Sequence, residues 1–532
     1  MKRNFVLIFI LFAFNPPQAY CQQLEYIRGK VIDSKTSQPV PYATVRFKNS
    51  QIGVISNAEG DFRVLNSLRF QEDSMIVSCI GFRPLSVTFG ALKISGMNIL
   101  KLVPEIYSLK EVTVTAKKRR LSPEVLISRA LRNIKNNYPE IPFSYVSYYR
   151  DYQKDSSKFI NLNEAIIQTL DKGFHYVSDS NRYRLLDFNK NIDFTRTDMT
   201  PFYDLPGTNH SDVWFKRIPK AIVGDQSGNE LFILLVHDAI RNFNKRSFSY
   251  VDTLTQNFLR NHRFSDPIGI HDGTTLLYKI VFIVKPQITG ESLRMGGAIY
   301  IQPDDYSIHK LEYSASYIDA QKKEKDIFNI ETEYGHVPAV GSKMCLKYIS
   351  FSNSFAIPDS TDNDYFKIVR SEWSEPNGPY AYYPVKAPNM TIKTSFNRKI
   401  DPVSGTKIDN YDFTVGKRKA KITKVWVSGQ NLFLTVRDDK FKRSELDSCS
   451  LHIKNLRDIY GNLFNKRSDL EFRQFRELFV QEYNAPVQYQ NDCFIGAMPL
   501  DQNCISISED LGRYWMNTPI NAEEKKQEFK DY

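Results

Sequence analysis

Between residues 26 and 115, short apolar runs alternate with polar residues and are interrupted by turns carrying glycine and asparagine. The runs are Gly29-Lys30-Val31-Ile32-Asp33 and Gln38-Pro39-Val40-Pro41-Tyr42-Ala43-Thr44-Val45, followed by the turn Ser56-Asn57-Ala58-Glu59-Gly60-Asp61-Phe62. Alternation with a period of two marks half-buried strands, so this stretch is confined to a small all-β module. Gly60 is expected at positive φ, a conformation that costs glycine little, with Phe62 re-entering the core behind it. Gly81-Phe82 repeats the device. No reacting group stands out in the module.

The residues ahead of it read as a secretory leader over 1–21. Lys2-Arg3 give a positive start, residues 5–14 form a short apolar run, and Ala19-Tyr20-Cys21 offers a cleavage site before Gln22. The alternative is that Cys21 is acylated and anchors the chain as a lipoprotein, although a lipobox wants a residue smaller than Tyr20 before the cysteine. No later run approaches the roughly 18 apolar residues of a membrane-crossing helix. Export is expected, to the periplasm or the outer membrane.

A chain of 532 residues exceeds one hydrophobic core, so two to four domains are expected. Tyr, Phe, Val, Ile and Thr in short alternating runs favour β structure. The net charge of +11 raises the question of a polyanionic partner. Its positive residues are scattered, with clusters only at Lys117-Lys118-Arg119-Arg120 and Lys417-Arg418-Lys419, at predicted junctions or hairpin tips, which argues against nucleic acid. Six cysteines are few for an exported chain of this length. Cys79 lies in an apolar run and reads as core; Cys345 and Cys449 have no near partner; Cys493 and Cys504 flank an expected hairpin and are the candidate disulfide.

The front module resembles the carboxypeptidase-regulatory-like, transthyretin-like domain that precedes the plug of TonB-dependent outer-membrane receptors. The matching positions are Gly29, Val31, Asp33, Pro39-Val40, Ala43, Val45, Gly53, Ser56-Asn57, Gly60, Phe62, Ser78, Gly81-Phe82, Leu102 and Leu109-Lys110-Glu111-Val112-Thr113-Val114-Thr115. The resemblance implies a β-sandwich over 25–116 and an envelope location. It does not imply transport, because no plug and barrel follow.

Ser122-Pro123-Glu124 starts a helix with a capping serine and a proline in its first turn. Val125, Ile127, Ala130, Leu131, Ile134 and Tyr138 recur at helical spacing and are its expected apolar face. Strands are expected at 145–150, 159–165, 278–283, 297–301 and 308–313, giving a central α+β domain over 120–375. The helix and its following strands are similar to uncharacterised envelope proteins carrying the same front module, and the 277–317 pattern is similar to the curved sheet of periplasmic lipoprotein carriers. Residues 229–242, with Leu231-Phe232-Ile233-Leu234-Leu235-Val236 apolar on every side, read as a core helix. After Pro384 and Pro388, alternating runs at 390–396, 422–425 and 432–436 resemble a bacterial immunoglobulin-like module, placed at 385–470. Residues 471–532 are expected to hold further strands and a charged tail.

His309-Lys310-Leu311-Glu312 fits a short zinc-peptidase string, with His336 or His452 downstream. On a regular strand residues three apart face opposite sides, so the pair needs a bulge to share one metal. His237-Asp238 and His271-Asp272 are adjacent in sequence and lack a nucleophile elbow. The Asp458 to Asn462 segment reads as a turn, with too few oxygen ligands for calcium. Phosphate loops and dinucleotide fingerprints are absent. In 373–383, Trp373, Tyr380, Tyr382 and Tyr383 sit among proline and glycine, which should keep them out of a regular strand; these rings are the candidate binding surface.

The expected protein is mainly β: a transthyretin-like sandwich, a central curved antiparallel sheet with helices, and an immunoglobulin-like sandwich. Its expected role is non-catalytic binding or assembly in the envelope, without cofactor or metal, with envelope proteins or glycan as partners and association with the outer membrane. Two alternatives stand beside it, a periplasmic carrier or sensor for an apolar lipid or lipoprotein ligand, and a glycan-active enzyme whose paired carboxylates only the fold would reveal.

Overall fold

The computed structural model describes residues 25–49, 52–67, 70–107, 121–155, 158–176, 181–190, 230–243, 257–290, 293–318, 322–358, 362–374, 389–438, 440, 443–467, 469–484, 494–495 and 513–519. Two compact units divide the chain: Met1–Ser354 with Arg473–Tyr532, and Phe355–Phe472. The leader with Cys21, the basic run 117–120, the 109–115 match, Tyr380, Tyr382, Tyr383, Cys493, Cys504 and the charged tail lie outside the described residues.

The first unit opens with eight short strands: β1 (Tyr26–Asp33), β2 (Thr44–Phe47), β3 (Gly53–Ile55), β4 (Asp61–Leu65), β5 (Ser74–Ser78), β6 (Phe82–Arg83), β7 (Leu85–Thr88) and β8 (Met97–Pro104). They form two sheets, ordered β4-β1-β8-β6 and β3-β2-β5-β7, with β1 and β8 parallel and the other pairs antiparallel. Alternation puts Ile27 and Val31 of β1, Val45 and Phe47 of β2, and Leu100 and Leu102 of β8 into one buried core. The expected turns are present: Gly60 has φ +76° and Gly81 +87°. A side chain at Gly60 would also come within 2.5 Å of the Val31 carbonyl oxygen, so steric space as well as backbone conformation demands glycine there.

The sandwich hands the chain to a much larger sheet through β9 (Ile106–Tyr107). The sheet is built from β10 (Phe143–Asp155), β11 (Lys158–Asp171), β12 (Arg182–Lys190), β13 (His262–Phe264), β14 (Ile268–Asp272), β15 (Thr275–Val284), β16 (Leu293–Ile301), β17 (Ile308–Ile318), β18 (Glu324–Val337) and β19 (Lys343–Pro358). Two late strands, β26 (Asp469–Asn484) and β27 (Phe494–Ile495), complete it. Among the described residues the order is β27-β12-β11-β10-β26-β19-β18-β17-β16-β15-β14-β9, with β13 paired to β15, and the sheet curls into a half-barrel. Gly297 permits the approach of β16 to β17, since a Cβ there would lie 1.8 Å from the Glu312 carbonyl oxygen.

Helices cover one face of this sheet. In α1 (Pro123–Asn137) the Ser122 hydroxyl accepts from the Val125 amide at 3.4 Å, Pro123 opens the first turn, and Leu126, Ile127, Ala130 and Ile134 are buried. The expected face is thereby corrected: Val125 is exposed and Leu126 takes its place, because the stripe follows Leu126-Ala130 and Ile127-Ile134 rather than starting one residue earlier. α2 (Glu230–Val236) packs in the same core, but its helix ends at Val236 and residues 237–243 continue as turns. Here the Asp238 carboxylate accepts from the Ile240 and Arg241 amides and competes with helix continuation.

The second unit carries β20 (Ile368–Ser374), β21 (Asn389–Phe396), β22 (Tyr411–Val415), β23 (Arg418–Ser428), β24 (Asn431–Arg437) and β25 (Cys449–Ile453), ordered β20-β21-β24-β23-β22-β25. β23 pairs with β22 through its first three residues and with β24 through the rest, across a register shift after Ile422. Ile392, Leu432, Leu434, Val436 and Phe413 fill the core. This unit begins earlier than the expected residue 385, since β20 belongs to it. Residues 471–484 are no appendage: β26 lies between β10 and β19 in the middle of the large sheet. Arg473, Arg476 and Glu477 give that strand a polar sequence, yet Arg476 and Glu477 are buried by charge pairing instead of by apolarity.

Candidate binding cleft

Opposite the helices, the large sheet meets the front sandwich through a small apolar cluster of Ile55, Val146, Tyr148, Ile166, Tyr348, Phe479 and Met516 and a set of buried polar contacts. The Glu477 carboxylate receives the Arg150 guanidinium, the Tyr42 hydroxyl at 3.3 Å and the Tyr152 hydroxyl at 3.4 Å, while Tyr42 also lies 3.0 Å from the Ser350 hydroxyl. Both members of the Arg150–Glu477 pair are 1% exposed, so neither charge has water to fall back on. Burial pushes the Tyr42 hydroxyl well above its ordinary range and keeps it a donor.

Residues 513–519 thread through this seam as a latch. The Trp515 ring lies in the sandwich core and its indole N–H donates to the Arg63 carbonyl at 3.0 Å. The Arg63 amide donates to the Asn517 side-chain oxygen at 2.8 Å, and its guanidinium donates to the Met516 carbonyl at 2.8 Å and the Thr518 hydroxyl at 2.7 Å. On the other side, Arg150 donates to the Asn517 carbonyl at 3.2 Å, Thr518 donates to Glu164 at 2.9 Å, and Gln481 Nε2 donates to the Trp515 carbonyl at 2.7 Å. One short segment thus satisfies groups from both partners, which fixes their spacing.

Beside the latch the two surfaces part and leave a cleft of about 320 Å³. That is at the lower end of ligand-pocket volumes, about 300–1,000 Å³. One wall is the β2–β3 edge of the sandwich, with Thr44, Arg46, Gly53, Val54 and Ile55; the other is the β18–β19 turn with His336, Ala339 and Lys347, and β26 from Val480 to Tyr483. Most of its charges are already engaged. Burial pulls the Lys347 ammonium down, but Asp272 at 3.6 Å and Glu333 at 3.0 Å outweigh it and hold it above its ordinary range. Lys347 in turn holds the Asp272 carboxyl well below the usual carboxylate range. Glu482 is held by Arg513 at 2.5 Å and by the Tyr514 hydroxyl. Gln481 differs: it is 4% exposed and its Oε1 has no hydrogen-bond partner among the described residues. A mixed wall of fixed dipoles and apolar side chains suits recognition by shape and hydrogen bonding.

Trp373 does not lie in an irregular segment. It is in β20, paired with Ile392 of β21, because the strand continues to Ser374 before the proline and glycine residues begin. The peptidase string is also corrected. The register shift between Tyr300 and Ile301 falls opposite His309, which contacts Gln302 at 3.1 Å and Asp272 at 3.8 Å on the side of the sheet where Tyr300 bonds Glu312. His309 and Glu312 therefore share a face, but Lys310 lies 3.1 Å from Glu312, and among the described residues no group of three ligating side chains could hold a metal ion. His237 stacks on Phe351 at 4.0 Å, and burial pushes its imidazole down to about 3. Burial pushes the neighbouring Asp238 carboxyl up to about 6. Asp458 closes its own turn, accepting from the Tyr460 and Asn462 amides at 2.9 Å each. Cys79 is pushed up to about 12 by burial, as a core thiol should be.

Along 277–317, the stretch similar to the curved sheet of lipoprotein carriers, the helix-covered face is filled. Ile280, Phe282, Ile299, Ile301, Leu311 and Tyr313 pack with α1 and α2, and the cavity among Tyr145, Asp238, Arg241 and Tyr334 measures about 20 Å³. A volume of that size holds about one water, far short of an acyl chain.

No curated protein matches the sequence. Among solved structures, a protein described as membrane-associated and of unknown function from Bacteroides fragilis aligns at 7% identity over 86% of this chain and 98% of its own, with a TM-score of 0.12, too low to carry an argument. The front sandwich has a family: residues 27–114 match the model of the CarboxypepD_reg-like domain, and the chain carries that domain at its N-terminal end.

Proposed function

We propose that this is an exported, non-catalytic binding or assembly protein of the cell envelope, in which the CarboxypepD_reg-like sandwich and the half-barrel together present a recognition cleft. The observation that carries the reading is the cleft itself, walled by two parts of the first unit that the buried latch holds at a fixed separation. The leader over 1–21 supports export to the periplasm or the outer membrane, with Cys21 as a lipid attachment point in the second form of that reading. Envelope proteins are the proposed partners, at or near the outer membrane. The six-stranded sheet described in the second unit supports an immunoglobulin-like module there.

The test places a photo-crosslinking residue at Arg46, in the cleft, and at Lys101, exposed on the other sheet of the sandwich, in cells that make the protein. A discrete adduct in the envelope fraction from position 46 and none from 101 is the expected result. Equal labelling at both positions, or recovery of the protein outside the envelope, rejects the proposal.

A further inference from the structure

The second unit has a cavity of its own. It measures about 410 Å³ and lies where residues 362–366 and 457–467 meet Arg398, just past β21. That volume is within the range of ligand pockets, about 300–1,000 Å³. Arg398, Arg457, Lys466 and Arg467 line it as cations, against one lining carboxylate, Asp362. Beside the Tyr365 ring, its only apolar lining side chains are Phe366 and Leu463.

The walls are built. Arg398 lies between Asp458 at 3.2 Å and Asp364 at 3.1 Å. The Asp458 carboxylate is fully buried and also accepts from the Tyr460 and Asn462 amides at 2.9 Å each and from the Asn462 side-chain amide at 2.8 Å, so its lone pairs are filled. Arg467 and Lys367 lie over the Tyr365 ring at 5.3 Å and 5.1 Å. Arg457 is anchored through its Nη1, which donates to the Gly461 carbonyl at 2.7 Å, and it pairs with no carboxylate among the described residues. A guanidinium is rich in N–H donors, so that single bond leaves Arg457 able to receive an anion. Even with Asp364 and Asp458 counted beside Asp362, the lining cations outnumber the carboxylates four to three.

A concave wall with an excess of one charge concentrates its attraction on ligands of the other sign. A guanidinium fork matches the paired oxygens of a carboxylate or a phosphate. A lining with so few apolar side chains suits a hydroxylated ligand better than an apolar one.

We infer that the second unit binds an acidic saccharide, whose carboxylate or phosphate group is received by Arg457 within the positive potential of Arg398, Lys466 and Arg467. The site belongs wholly to the second unit and does not depend on the cleft of the first.

The experiment titrates the full-length protein calorimetrically with oligogalacturonate, which carries carboxylates, with a phosphorylated oligomannose, and with the same oligomannose lacking phosphate. At least one anionic probe is expected to bind about 10-fold or more tighter than the neutral one, and the better of the two identifies the oxyanion. Arg457→Gln removes the guanidinium from an exposed position and should weaken binding about 10-fold or more, the effect of losing a charge-assisted hydrogen bond. Lys466→Gln, also exposed, probes the same wall should the first variant not fold. Lys421→Gln removes an equal charge from an exposed position on β23, outside the cavity, and should leave binding unchanged. No binding of any probe, equal affinity for the charged and neutral oligosaccharides, indifference to both cavity variants, or an equal loss with Lys421→Gln overturns the inference. A polyglutamate peptide that binds as tightly as the best saccharide overturns the assignment of a sugar.

Discussion

The two faces of the half-barrel combine apolar burial and buried charge pairs in different proportions. The helix face is chiefly an apolar core in which Ile280, Ile299, Ile349 and Phe351 meet α1 and α2, with the buried Arg476–Glu230 and Arg241–Asp171 pairs set within it. The sandwich face sets the Arg150–Glu477 pair, tyrosine hydroxyls and the latch amides beside a smaller apolar cluster that includes Ile55, Tyr348 and Phe479. Apolar burial is non-directional and tolerates many packings. A desolvated charge pair is stable in one geometry alone. The contrast is one of emphasis: apolar packing dominates the helix face, and on the other face the directional contacts of the latch and the Arg150–Glu477 pair set where the sandwich sits and hence the width of the cleft.

The sharpest way to break the contrast is Glu477→Ala, which strands a buried guanidinium and should cost about 3–5 kcal/mol in urea denaturation. The double change Arg150→Met with Glu477→Leu should recover most of that loss; a double variant no more stable than the single would mean that the charges themselves are not the issue. On the helix face, Ile299→Ala should cost about 3 kcal/mol through lost burial and a cavity, with the sandwich still docked. Limited proteolysis that freed the sandwich in this variant would merge the two faces into one cooperative element.

A smaller effect is expected at the latch. Asn517→Ala removes partners from the Arg63 amide and the Ile55 carbonyl and should cost about 1–3 kcal/mol, with faster hydrogen exchange confined to the seam. Uniform change across both faces would contradict the division.

The mildest test uses pH. Asp238, lifted to about 6 from an ordinary 3.8, makes the folded state bind more protons than the unfolded state between those values, so its contribution falls as pH rises through them. His237, lowered to about 3, has the opposite sign: its contribution rises with pH between about 3 and 6.5. Each slope is about 1.4 kcal/mol per pH unit, and between pH 4 and 6 they cancel. Asp238→Asn should expose the histidine slope as stability that climbs with pH in this window. A profile parallel to that of the parent protein would show that these neighbours do not titrate as their surroundings dictate.

What could be read from residues alone was local. The turns at Gly60 and Gly81, the capped helix at Ser122 and the alternating strands from 278 to 313 each depend on a few neighbours, and each is where its spacing put it. The hidden parts depend on distant ones. β26 looks polar until Arg150 and Glu230 meet its charges, and the His309 bulge is a property of the β16–β17 ladder rather than of either strand. The latch has no periodicity at all. Its one signal was Trp515, among only four tryptophans in the chain, next to residues rich in backbone-bonding side chains. The cleft was illegible for the same reason: its walls come from residues 44–55, 335–347 and 480–483.

The latch also sets an order of events. The Arg63 amide and Asn517 are 454 residues apart, so the sandwich waits for a segment made long after it before the seam is complete. Until that segment is made, the Arg63 amide and the Ile55 carbonyl lack their partners and the two walls of the cleft are not held at their spacing. A chain that stopped before Trp515 would keep the strands of the sandwich and of the large sheet and lose the contacts that fix the width of the cleft.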